Sequence, residues 1–99
     1  MTSPVNKVAI EATVLEKAPL SYTPAGIAVF EAKFHYCGEQ FEAGAVRKVE
    51  FDFTALAFAD VAIRLDSVGP GEQLSMQGFF ATRSLRSSRL TLHITEFKI

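Results

Sequence analysis

The sequence predicts an all-β domain: five strands closing into a small barrel, with a short helical connector between the third and fourth. Three observations predict it. Apolar and polar residues alternate with period two in five separate segments. Glycine- and proline-bearing breaks divide those segments. One stretch alone, rich in alanine, repeats at three- and four-residue steps instead.

The first strand is VNKVAIEATVLEKA, with Val8, Ile10, Ala12 and Val14 on one side and Lys7, Glu11 and Thr13 on the other. Pro19 to Gly26 then reads as a loop. Pro24 presets φ for the second position of a turn, and Gly26 suits the fourth. The second strand, IAVFEAKFHY, sets Ala28, Phe30, Ala32, Phe34 and Tyr36 against Val29, Glu31, Lys33 and His35. CGEQFEAGA interrupts the pattern with two glycines, and VRKVEFDF resumes it. There Val49, Phe51 and Phe53 face inward, opposite Lys48, Glu50 and Asp52.

From Thr54 to Val68 the recurrence of Ala55, Phe58, Ala59, Ala62 and Ile63 favours a helix over an apolar irregular connection. Gly69 to Gly71 closes it. The fourth strand, EQLSMQGFFATRS, aligns Leu74, Met76, Gly78 and Phe80, and Gly78 marks a bulge or bend. The fifth, LTLHITEFKI, turns Leu90, Leu92 and Ile94 inward. Five strands with a connector after the third match the OB-fold, a five-stranded Greek-key barrel. An open five-stranded sheet with one packed helix fits the same periodicity. The 99 residues suit one domain, 1–99.

Composition narrows the function. No apolar run approaches a membrane span, and the start lacks the pattern of a signal peptide. The single cysteine, Cys37, allows no internal disulfide, so a cytoplasmic protein is expected. His35 and His93 stand apart on outward strand positions, without the partners that nucleophilic catalysis or metal ligation requires. No phosphate-binding loop is present. No enzyme activity, metal or cofactor is therefore expected.

Charge distribution points to binding. The net charge is -1, yet Gln73 to Thr95 holds three arginines and no acid. Arg83, Arg86 and Arg89 fall between strands four and five, the loop that borders the ligand face of an OB-fold. Guanidinium groups pair bidentately with phosphate and stack on bases. Arg47 and Lys48 form a second basic pair at the start of strand three, with Lys17 and Lys33 as further candidates. Most phenylalanines alternate inward. Phe41, in the loop before strand three, and Phe79, out of phase with its strand, read as exposed. Phe79 suits base stacking or a dimer contact equally. A solvated, solubilising loop remains the plain alternative for the arginines.

YTPAGIAVFEAKF, EQFEAGAVRKVEFDFTALAF and MQGFFATRSLRSSRLTLHITEFKI together resemble the primosomal replication protein N (PriB) family. That family is a dimeric OB-fold relative of bacterial single-stranded-DNA-binding protein. The resemblance implies a homodimer that binds single-stranded DNA in replication restart, with the PriA helicase and, in some bacteria, DnaT as partners. It carries the family's basic loop onto Arg83, Arg86 and Arg89, and its strand-three basic position onto Arg47. An aromatic expected on strand three aligns near Glu50, and two basic positions align with Ser21 and Cys37. These departures imply weaker or more salt-sensitive DNA binding, or a protein-interaction module with marginal DNA affinity. The sequence ends at EFKI without an acidic tail, so a partner is expected to recognise the folded domain.

Overall fold

The computed structural model describes residues 3–99. Its strands are β1 (Val8–Lys17), β2 (Ser21–Tyr22), β3 (Ala28–Glu42), β4 (Ala45–Phe58), β5 (Gln73–Thr82) and β6 (Leu90–Lys98). One helix, α1 (Asp60–Leu65), lies between β4 and β5. The strands run in the order β1-β5-β6-β4-β3-β2, and a further β1–β3 pairing closes five of them into a barrel. Among the described residues, only β4 and β6 pair in parallel, in register Ala55↔Leu92. This is the OB-fold that the alternation predicts, and closure excludes the open sheet.

Alternation locates the core. Ala12 and Val14 of β1, Phe30 and Phe34 of β3, Leu74 and Met76 of β5, and Leu92 and Ile94 of β6 are all buried. Each large apolar side chain contributes about 1.5–3 kcal/mol by leaving water. The helix adds Ala62 and Leu65 to this cluster. Leu90, expected inward, is largely exposed because it stands at the mouth of the β5–β6 loop.

Three stretches differ from the sequence reading. The loop after β1 contains the two-residue β2, which pairs with Val29 and Ala28. Its turn is as expected: Gly26 N–H donates to the Thr23 carbonyl at 2.8 Å. The break expected at Gly38 is absent, because β3 continues to Glu42, paired throughout with β4. The reversal falls instead at Ala43 and Gly44, both at positive φ (53° and 80°), the backbone of a two-residue hairpin turn. Phe41 thus lies in a strand beside that turn. The helix is shorter than Thr54–Val68. Thr54 to Phe58 belong to β4, where Ala55 and Ala57 point into the barrel, and the chain corners at Ala59 (φ 60°). Alanine fits helix and strand alike, so its spacing misleads there.

Gly78 sits where β5 shifts register against β6. A Cβ there would stand 1.8 Å from the His93 carbonyl oxygen, so two backbones meet at a point only glycine allows.

The β3–β4 ribbon outgrows the barrel. Pairing of β1 with β3 stops at Thr13↔His35, while β3 and β4 stay paired to Glu42↔Ala45. The far half is therefore a projecting arm. Phe51 has the inward phase that the sequence gives it, yet it is 41% exposed, because it lies on the arm, beyond the point where β1 pairs with β3. It stacks on Tyr36 with ring centroids 5.2 Å apart.

Candidate nucleic-acid interface

The β5–β6 loop curls over the barrel rim. Ser87 N–H donates to the Ser84 carbonyl, and Arg89 N–H to Ser87 Oγ, each at 3.2 Å. This folding brings Arg83, Arg86 and Arg89 around one concavity of about 430 Å³. Its floor includes Thr54 of β4 and Thr91 of β6, both on outward strand positions. The three arginines thus line one concavity on the loop in which the sequence places them.

They are not equivalent. Arg83 Nη2 lies 2.7 Å from Oε1 of Glu31, on the outer face of β3. Among the described residues, Arg86 and Arg89 have no such acid partner. Lys17 is tied to the end of α1, pairing with the Asp66 carboxylate at 3.8 Å and donating to the Asp66 carbonyl. Lys33 lies near Arg89, Asp52 and Leu90.

The second predicted basic pair is divided by the ribbon. Arg47 opposes Gln40 and Lys48 opposes Glu39, so their side chains leave opposite faces of the arm. Arg47 is held by Glu42 at 2.8 Å. Phe41 is 74% exposed near the arm's tip, opposite Val46 and on the same face as Lys48. Lys48 stands four positions from Asp52 along β4, about 13 Å of strand. The structure therefore holds Phe41, Arg47 and Lys48 apart from the arginine loop.

An acidic band lies between. His35 Nδ1 is 2.6 Å from Asp52 Oδ1, and its Nε2 is 2.9 Å from Glu50 Oε2. Only the doubly protonated imidazolium has an N–H for each carboxylate. The hydrogen bond to Asp52, then that to Glu50, raises the His35 pKa above 6.5.

Sequence reading missed one feature of this face. Phe58 of β4, His93 of β6 and Phe79 of β5 stand side by side on outward positions. Centroids are 5.8 Å apart for Phe58–His93 and 5.1 Å for Phe79–His93, with interplanar angles of 26° and 17°. The phenylalanines are about two-fifths exposed. His93 Nε2 is buried without a hydrogen-bond partner among the described residues, and burial pushes the ring's pKa below 6.5. Phe79 carried a signal in its phase. Phe58 carried none, because its segment reads as helix.

Comparison with known proteins agrees with this architecture. A family described as "another single-strand binding protein family" matches residues 6–96. The replication restart protein PriB of Nitrosomonas europaea is 37% identical over 94 residues, covering 95% of this chain and 87% of its own. The structure of PriB from Ralstonia solanacearum superposes with TM-score 0.87 at 33% identity, covering 96% of this chain and 97% of that one. The wild-type single-stranded-DNA-binding protein of Thermus aquaticus shares the fold, with TM-score 0.77 at 16% identity over 95% of this chain and 49% of its own. With a closed five-stranded barrel, a basic β5–β6 loop and this degree of identity along almost its whole length, the chain belongs to the PriB family of replication restart proteins.

Proposed function

We propose that the protein is a non-catalytic, single-stranded-DNA-binding component of the replication restart primosome, working in the cytoplasm. One observation carries the reading: Arg83, Arg86 and Arg89 converge on one rim of the barrel, and two of them have no acid partner among the described residues. Phosphates cross that rim, where guanidinium groups replace the counterions of the strand. Lys33 extends the track, and Lys48 with Phe41 forms an outlying contact on the arm. The folded domain in turn bridges DNA to the PriA helicase, and to DnaT where the bacterium has it.

A homodimer fits the same molecule. The edge of β1 from Val8 to Ala12 that faces away from β5 is unpaired among the described residues. Ile10, Tyr36, Val49 and Phe51 line an apolar groove of about 420 Å³ beside it. A second copy would cover both an open edge and apolar surface. Light scattering on the wild type and on Phe51→Asp tests this; a monomeric wild type rejects it.

Fluorescence anisotropy with labelled oligo-dT across a salt series tests the DNA reading. The slope of log K against log salt should lie near -0.7 for each phosphate neutralised, and Arg83, Arg86 and Arg89 all changed to alanine should flatten it by about 2. An unchanged slope in the folded triple variant removes the loop from the interface. A second reading, an interaction module with marginal DNA affinity, draws on Glu31, Glu50 and Asp52 lying on the same face. Absence of binding at low salt would favour it.

A further inference from the structure

We infer that the Phe58–His93–Phe79 stack is a nucleobase platform, taking the unpaired bases of a strand whose phosphates lie on the arginine loop. The inference rests on the DNA reading above and adds the residues that hold the bases.

Continuity comes first. Thr91, in the floor of the arginine concavity, is two residues from His93 on the same face of β6, about 7 Å along the strand. The cationic rim and the aromatic strip therefore lie on the same outward face of β4, β6 and β5, with Thr91 and Leu56 buried between them. A single strand needs this combination, because its charge and its π-faces are both exposed.

Ring geometry comes second. The three rings stand in a row across neighbouring strands, nearly parallel, and His93 fills the middle. Packing on both sides fixes the orientation of His93 before any ligand arrives. The terminal rings, Phe58 and Phe79, keep surface toward solvent. Burial keeps His93 neutral near pH 7, so it belongs to the apolar strip and does not compete as a charge.

Size comes third, and it distinguishes bases from a protein. Two phenylalanines two-fifths exposed offer about 150 Å² between them. A specific protein partner covers about 800 Å² on each side. Thr95 of β6 and Gln77 of β5, both exposed, stand beside the strip with polar groups. A patch this narrow suits one or two bases.

Binding of oligo-dT should be compared with binding of an abasic oligomer of equal length and charge. The wild type should prefer oligo-dT by about tenfold or more. Phe58→Leu with Phe79→Leu keeps apolar bulk but removes the π-faces. This variant should lose most of the preference, while its abasic binding and salt slope stay as in the wild type. Photo-crosslinking of 5-iodouracil DNA to the wild type, read by mass spectrometry, should label Phe58 or Phe79 and requires no variant to fold. Labelling confined to Phe41 or Phe51, or a preference that survives in the leucine variant, overturns the platform and leaves the DNA reading intact. Normal DNA binding with loss of helicase association overturns it in favour of a protein contact. A wild type that binds neither oligomer overturns both readings.

Discussion

Arg83 Nη2 rests 2.7 Å from Oε1 of Glu31, joining the β5–β6 loop to the outer face of β3 across 52 residues of sequence. Both side chains are partly exposed, so the pair itself is worth about 0.2–1 kcal/mol. In the free protein it also occupies a guanidinium that a phosphate would use. Glu31→Gln should therefore tighten oligo-dT binding by about 2- to 5-fold at low salt, by anisotropy. Equal or weaker binding would show that Arg83 contacts no phosphate.

The two histidines should titrate on opposite sides of their ordinary value. His35 has its pKa raised by Asp52 and then Glu50. Its stabilising contribution is complete below about pH 6.5 and is lost as pH rises through the raised folded value. His93 has its pKa lowered by burial, so it favours the folded state above about pH 6.5 and costs stability as pH falls through its lowered folded value. NMR titration of the imidazole protons should give two separated midpoints. Asp52→Asn should move the His35 midpoint down and leave His93 in place. Coincident midpoints in the wild type would contradict both environments.

Gly78 admits no side chain. Its Cβ would lie 1.8 Å from the His93 carbonyl oxygen, a backbone atom that cannot swing aside. Gly78→Ala should destabilise the fold by about 2 kcal/mol or more, measured by urea denaturation. It should also disturb the Phe79–His93 contact next to it. A loss under about 0.5 kcal/mol would mean that the strands separate there at little cost.

Asn6 finishes a strand edge with its side chain. Its amide nitrogen donates to the Phe80 carbonyl at 2.7 Å, and Phe80 N–H donates back to Asn6 Oδ1 at 3.0 Å. The amide thus continues the β1–β5 pairing beyond Val8↔Gly78. Asn6→Ala should cost about 1–2 kcal/mol for the two bonds, or roughly 5–15 °C in Tm. An unchanged Tm would show that water replaces the amide without loss.

Much of this was legible in the sequence because strand alternation is local. Val14, Phe30, Phe34, Leu74, Met76, Leu92 and Ile94 are buried as their phases require. Gly26 closes its turn, and Gly78 marks its register shift. The clustering of Arg83, Arg86 and Arg89 was equally local, since one short loop carries all three. The end of β4 was hidden, because Ala55 and Ala57 suit either structure. The extent of the β3–β4 arm was hidden too, because Gly38 is tolerated in a paired strand.

By itself, the sequence determined most of the side chains that face the core, the OB-fold order of elements, the family, and a basic loop in an acidic chain. Only the tertiary structure decided what each outward residue meets. It set Glu31 against Arg83, Asp52 and Glu50 against His35, and Phe58 and Phe79 against His93. It also parted Arg47 from Lys48 on opposite faces of the arm. The physical reason is register. Alternation assigns a face from neighbours two residues apart, but cross-strand partners follow from how distant strands align, which barrel closure imposes.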